Sequence, residues 1–234
     1  MIKNDYEKVS DFYNKVYYQS VSLDENTGSH YLKLAKKINL ATGESILDIA
    51  CGTGKWLKAA TDMGAIIHGV DISSEAIGIC KQRFPNNVME VGLAENLPFP
   101  DNYFDVVTCL GSLEHFLDQA KAIREMLRVA KPSARFLILV PNAGFLTYRL
   151  GLFKGTQQKE IKETIKSLED WQNLFFEQGL SVKRRWADYH IMSKDWLLRR
   201  PYGMLIPRIL QALLLLVWPL TWQYQVYHLL EIKQ

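Results

Sequence analysis

The 234-residue chain lacks a strong charge bias, a disulfide-type cysteine pattern and an apolar N-terminal leader. Its net charge of +3 is small for a nucleic-acid-binding domain, so we expect no nucleic-acid partner. The three scattered cysteines (Cys51, Cys80 and Cys109) have no metal-ligand spacing, which predicts reduced, buried thiols and no metal site. The polar N-terminus has no signal-peptide h-region, so we expect a cytoplasmic protein.

One apolar stretch, residues 209–218, is interrupted only by Gln211. It lies between Pro207 and Pro219 and holds about 11 residues, whereas a bilayer-spanning helix needs about 20. We therefore predict a short apolar helix that does not cross a membrane.

Strand-like and helix-like segments alternate over residues 44–142 of a chain that is 48% hydrophobic, which predicts one folded domain over 1–234. Strands are expected near 46–50, 66–71, 88–91, 105–110 and 135–140. Helices are expected near 55–63, 74–83 and 118–130. This alternation predicts an α/β fold with a doubly wound parallel sheet and ligands at the carboxyl ends of the strands.

The chain is organised around residues 46–54, where an apolar run ends in a glycine turn and a helix-like segment follows. Gly52 and Gly54 allow a sharp turn and a close approach of a ligand to the backbone. Asp48 stands where the strand ends, so its carboxylate can face the same crevice.

A second acid indicates the kind of ligand. Asp71 ends the next apolar run, 19 residues after Gly52, where a carboxylate can accept hydrogen bonds from two ribose hydroxyls. A dinucleotide fold would place a third glycine at position 57, which is Leu57 here. This pattern favours a nucleoside without a pyrophosphate, and a dinucleotide-binding oxidoreductase is the disfavoured alternative.

Three segments together resemble the class I S-adenosylmethionine (SAM) dependent methyltransferases: residues 47–54, residues 69–73, and residues 92–99 with Phe104 and Asp105. The resemblance covers roughly residues 40–142. It implies a Rossmann-like sheet of seven strands, mostly parallel with the last antiparallel, and SAM as cofactor with S-adenosylhomocysteine as product. The cofactor-binding residues it implies are Asp48, Ala50, Gly52, Thr53, Gly54, Asp71, Ile72, Ala94, Glu95 and Leu110.

The third of these segments departs from the family. Members commonly carry an aspartate that accepts a hydrogen bond from the adenine amino group, and this chain has Leu93 there. Ala94 and Glu95 follow it. The departure leaves open a catalytically silent module that binds a nucleoside or associates with a membrane.

Glu114 and His115 follow the predicted fourth strand, and many family members carry Glu-His at this point. Histidine suits proton transfer near neutral pH, so His115 is the candidate catalytic base. The alternative is a structural histidine at a turn. The expected reaction moves a methyl group to an O, N or C atom of a small-molecule or lipid-linked acceptor, and it needs no metal.

Residues 1–43 precede the first strand and predict two helices. They form either a cap at the sheet edge or a lid, in which Tyr13, Tyr17 or Tyr18 would line the acceptor pocket. The resemblance supports the lid.

Residues 143–234 are expected to hold an acceptor-side insert, a helix opening at Ser167, a strand over 180–189, and a last strand over 222–232. Residues 190–221, which contain the apolar helix, form a second insert between these strands. Basic residues precede or enter this helix: Lys183, Arg184, Arg185, Lys194, Arg199, Arg200 and Arg208. Interfacial aromatic residues flank it, which indicates a membrane surface or a lipid-like acceptor. The alternatives are burial against the sheet and a homodimer contact.

Overall fold

A seven-stranded sheet in the order β3-β2-β1-β4-β5-β7-β6 forms the centre of the fold. The structure is a computed structural model that describes residues 2–18, 29–151, 163–190, 198 and 202–233. The strands are β1 (Ser45–Ile49), β2 (Ile66–Asp71), β3 (Val88–Val91), β4 (Phe104–Leu110), β5 (Ala130–Pro141), β6 (Leu180–Ala187) and β7 (Gln225–Ile232). Only β7 runs antiparallel to its neighbours, β5 and β6. The predicted fold is confirmed.

Helices cover both faces of this sheet. They are α1 (Ile2–Phe12), α2 (Ser29–Lys37), α3 (Lys55–Asp62), α4 (Ser74–Arg83), α5 (Gln119–Val129), α6 (Leu146–Arg149), α7 (Leu168–Glu177) and α8 (Leu205–Val217), and a π-helical turn (Tyr13–Tyr17) follows α1. Ser73 caps α4, and Ser167 opens α7 with a capping box, because each hydroxyl accepts a bond from a free backbone N–H of the first turn.

Two buried clusters of apolar side chains lie on opposite faces of the sheet. Trp171 and Phe175 of α7 belong to the first cluster. Trp56 and Leu57 of α3 belong to the second. Leu57 is completely buried, so the position where a dinucleotide fold would carry its third glycine is a core position here.

The carboxyl ends of the parallel strands and the start of β7 meet at one edge of the sheet. Asn142, just after β5, is buried and donates from Nδ2 to the carbonyls of Thr221 and Gln223 at 2.9 and 3.1 Å. Its Oδ1 accepts from the Gly144 backbone N–H at 2.9 Å. Asn142 thus fixes both inserts beside the edge where ligands of this fold bind.

Several predicted boundaries differ from the structure by a few residues, and β7 begins at Gln225 rather than near residue 222. β5 begins at Ala130 rather than near residue 135, with a register irregularity between Phe104 and Val106. α8 begins at Leu205 rather than 209, so Pro207 lies inside it. Proline is tolerated there because the N–H groups of a first helical turn have no helical partner.

Helix α8 does not join the core. Ala212 is its buried residue, while Ile206 and Val217 are 70% and 77% exposed. Burial against the sheet, one of the alternatives for this helix, is therefore excluded in the described part of the chain. Among the described residues, no helix has both the length and the apolar character needed to cross a membrane.

All three cysteines are buried and free of disulfides, as predicted. The thiols of Cys51 and Cys80 both lie under the glycine turn that follows β1, and Cys80 Sγ donates to the Gly52 carbonyl at 3.1 Å.

Candidate active site

A cavity of about 340 Å³ opens at the carboxyl edge of β1, β2 and β4. It is lined by ten of the eleven residues predicted for the site, contributed by four successive loops. They are Asp48, Ala50, Gly52, Thr53, Asp71, Ile72, Ala94, Glu95, Leu110 and His115.

The glycine turn and the second acid are joined directly. Gly52 has a φ of +54°, which favours glycine, and its N–H donates to Asp71 Oδ2 at 2.9 Å. The other oxygen of Asp71 accepts from the Ser73 N–H at 2.9 Å. Burial raises the pKa of the Asp71 carboxyl, although these bonds favour its ionised form. Asp71 is therefore held in one orientation at the cavity wall.

Gly54 is the predicted residue that is not among those lining the cavity. It precedes α3 with a φ of +75°. A Cβ at this position would lie 2.6 Å from the Phe84 ring and 3.0 Å from Cys80 Sγ. The glycine is therefore required for packing of the turn against α4, and the described geometry gives it no direct contact with the cavity.

Asp48 is almost completely buried below the same turn. Its Oδ1 accepts a 2.6 Å bond from Thr108 Oγ1, and the Trp56 indole N–H donates to that hydroxyl at 3.1 Å. Burial raises the pKa of Asp48 to about 7. A cationic group placed beside Asp48 would stabilise its ionised form.

The third loop carries a carboxylate that is held by protein groups. Glu95 is buried, and its Oε1 accepts from the Asp118 backbone N–H at 3.3 Å. Burial and the bond to Glu95 raise the pKa of the Tyr6 phenol to about 12, so α1 is joined to this loop. Leu93 also lines the cavity and brings an apolar side chain where the family has a hydrogen-bond acceptor.

Glu114 and His115 occupy a short 3₁₀ turn after β4. Burial raises the pKa of Glu114 to about 8, and the negative charge of Glu163 contributes, so this carboxyl is mostly protonated at pH 7. Its Oε2 has no hydrogen-bond partner among the described residues. Side-chain atoms of Glu114, His115 and Glu163 lie within 4.8 Å of one another, which suits proton sharing or a metal ion; the prediction that none is needed stays open.

The N-terminal segment lies over this cavity. Tyr13, Tyr17 and Tyr18 line it, and a Cβ built on Gly52 would lie 2.9 Å from the Tyr18 hydroxyl. Polar contacts hold the segment to the loop after β2: Ser10 Oγ donates to the Ile72 carbonyl at 3.2 Å, and Asn14 Oδ1 accepts from Ser73 Oγ at 2.7 Å. Helical periodicity gave no signal for these contacts, which join residues about 60 positions apart in the chain.

A family model described as "Methyltransferase domain" matches residues 47–138, which hold β2, β3 and β4 and most of β1 and β5. This match and the relatives described below support a class I SAM-dependent methyltransferase with SAM as its cofactor. They agree with the family predicted from the sequence.

The curated relatives match only parts of this chain. YcgJ, an uncharacterized methyltransferase of Bacillus subtilis, is 31% identical over 66% of this chain and 64% of its own. A ubiquinone/menaquinone biosynthesis C-methyltransferase, UbiE of Geotalea daltonii, is 35% identical over 51% of this chain and 53% of its own. The chain thus spans less than two thirds of these curated relatives.

A solved SAM-dependent methyltransferase from Aquifex aeolicus has the same fold, with a TM-score of 0.59 and 16% identity. The comparison covers 98% of this chain and 97% of the other, so it includes the elements on both sides of the family match. The shared architecture therefore extends beyond residues 47–138.

Proposed function

We propose that the protein transfers the methyl group of SAM to an O, N or C atom of an apolar, lipid-linked small molecule. The observation that carries this proposal is the convergence of Asp48, Gly52, Asp71 and His115 on one cavity. The first three residues suit a nucleoside with a cationic amino-acid tail, and His115 lies on the same wall.

The two buried carboxylates indicate how SAM would be bound. Asp71, oriented by the Gly52 and Ser73 N–H groups, accepts hydrogen bonds from the ribose hydroxyls. Asp48 would hold the ammonium of the methionine part, and that cation would favour the ionised form of the Asp48 carboxyl. Residues 92–95 lie along the adenine, where Leu93 offers apolar contact in place of a hydrogen bond.

Methyl transfer requires alignment more than reactive protein groups. A lone pair or carbanion of the acceptor forms the new bond to the methyl carbon, while the C–S electron pair returns to sulfur and gives S-adenosylhomocysteine. Holding the two reactants in line in a site closed to water lowers the barrier. His115 accepts the proton that the acceptor loses. Neutral Glu114 adds no negative charge to that of Glu163 beside His115.

A second cavity supports an apolar acceptor. It measures about 500 Å³ and lies beneath α8, with Phe145, Trp218 and Trp222 in its walls. Gln225 lines it too, and a Cβ on Gly111 of the cofactor cavity would lie 3.7 Å from Gln225 Nε2. The two cavities therefore adjoin across Gln225. The name of the UbiE relative, a quinone-biosynthesis C-methyltransferase, supports a prenylated phenol as one acceptor class.

The competing candidate is a catalytically silent nucleoside-binding module, which Leu93 in the adenine loop favours. Transfer of radiolabelled methyl groups from SAM to prenylated phenols and glycan-linked lipids separates the two. Labelled product that disappears with His115→Ala supports the enzyme. SAM binding by calorimetry without labelled product from any acceptor supports the silent module.

A further inference from the structure

We propose that the outer face of α8 docks in the interfacial layer of a membrane leaflet that contains anionic lipid. The outer face is formed by Ile206, Ile209, Leu213, Leu216 and Val217, whose exposed fractions range from 41% to 77%. Spacings of three and four residues place these side chains on one side of the helix.

Unlike an ordinary surface helix, α8 turns an apolar face toward solvent. Amphipathic helices of soluble proteins turn their apolar side to the core and their charges to water. In α8 apolar side chains point outward as well as toward the cavity beneath the helix, and Arg208 and Gln211 are the polar residues among its 13. A contiguous exposed apolar patch of this kind marks an interaction surface.

The length of α8 sets its orientation in lipid. Thirteen residues at 1.5 Å rise make a helix roughly 20 Å long, whereas the hydrocarbon core is about 30 Å thick. The helix therefore lies in the plane of the leaflet. Trp222, 37% exposed just after α8, suits the headgroup level.

Charge selects anionic lipid over a second copy of the chain. Over residues 190–221 the sequence carries Lys194, Arg199, Arg200 and Arg208 against one acid, Asp195. A two-fold dimer through α8 would bring Arg208 of the two copies to the same interface. An anionic leaflet instead attracts each cation by about 1 kcal/mol. The observations favour lipid.

The docked face lies next to the cavities already described. Leu210 and Leu214, neighbours of the outer face on α8, line the cavity beneath the helix. That cavity adjoins the cofactor cavity at Gln225, so an acceptor held in the leaflet has a short apolar route to the methyl group. This delivery step rests on the proposed function, whereas docking itself does not.

Co-sedimentation of the full chain with vesicles tests the docking. We expect binding to phosphatidylcholine vesicles that contain phosphatidylglycerol, and weaker binding both at high salt and to phosphatidylcholine alone. The variant Leu213→Glu/Val217→Glu should lower vesicle affinity by roughly tenfold or more, since two charges enter the buried face. The matched control, Ile66→Glu/Val88→Glu, changes two exposed apolar residues at the opposite edge of the sheet and should bind like the parent.

Calorimetry with SAM keeps the two proposals apart. Leu213→Glu/Val217→Glu should retain SAM affinity, which also shows that it folds, while Asp71→Ala should lose SAM affinity and keep vesicle binding. Absence of parent binding to the anionic vesicles at low salt overturns the docking. An equal loss of vesicle affinity in the control variant overturns it as well. So does a parent protein that has no lipid affinity and forms a dimer that Leu213→Glu/Val217→Glu makes monomeric.

Discussion

The turn after β1 and helix α8 use apolar residues in opposite ways. Below the turn, Leu57 and Trp56 are buried, and Asp48 and Asp71 are held by specific donors. On α8, five branched side chains face outward and are 41% to 77% exposed. The first region, with its fixed geometry, suits a small polar ligand. The second offers a broad apolar face, which suits a fluid surface better than a shaped ligand.

Replacing the candidate base should give the largest effect in the cofactor region. His115→Ala is expected to lower the methyl-transfer rate by about 10²–10⁴, because the acceptor must then lose its proton to water. SAM affinity measured by calorimetry should stay near the parent value. A rate loss below tenfold would assign His115 a structural role, and Tyr13 and Tyr17 would become the next residues to test.

The same leucine-to-alanine substitution in the core and on α8 tests the difference in burial between the two regions. Leu57→Ala should lower the free energy of unfolding by about 2–5 kcal/mol, because it leaves a cavity in the core. Leu213→Ala, at a side chain 55% exposed, should change it by less than about 0.5 kcal/mol. Urea unfolding of both variants without lipid measures the difference. Equal losses would mean that α8 is buried in solution.

Replacing Asp71, the proposed ribose-binding residue, should have a smaller effect than replacing His115. Asp71→Ala removes charge-assisted hydrogen bonds of about 1.5–3 kcal/mol, which corresponds to a tenfold to hundredfold loss of SAM affinity. Because Asp71 also holds the Gly52 and Ser73 N–H groups, thermal unfolding must show that the variant is folded. Asp71→Asn keeps part of the bonding and should lose less. Undiminished affinity in folded Asp71→Ala would refute the assignment.

The smallest effect concerns pH. Asp48, with a pKa of about 7, is increasingly protonated below pH 7, and the cofactor ammonium binds better to its ionised form. SAM affinity should therefore fall as the pH falls, by about fivefold between pH 7 and pH 6. Calorimetry on Asp48→Asn should give weaker binding without this slope. The same slope in Asp48→Asn would remove Asp48 from the ammonium site.

Spacing along the sequence predicted those parts of the site that depend on neighbouring strands. Strand ends in a parallel sheet share one edge, so Gly52 and Asp71 could be brought together from their separation alone. Contacts between segments that are far apart in the chain could not be predicted from spacing. The positions of Thr108 below Asp48 and of Glu163 beside Glu114 depend on tertiary packing.

Gly54 and α8 illustrate what a residue pattern leaves undetermined. The glycine fits a ligand-binding motif, yet its missing side chain makes room for Phe84 and Cys80. The apolar run predicted a helix but not the direction of its faces, because a run that is apolar all round contains no periodic signal. The predictions made for residues 19–28, 152–162, 191–197 and 199–201 concern positions outside the described residues.

The position of Tyr18 links cofactor exchange to the motion of the first helix. A ligand that lies against Gly52 meets the Tyr18 hydroxyl, and the segment that carries this tyrosine is attached to the loop after β2 by bonds from Ser10 and Asn14. On the proposed function, S-adenosylhomocysteine leaves only as fast as this segment moves aside. Those two polar contacts would then set the residence time of the product, and with it the ceiling on turnover.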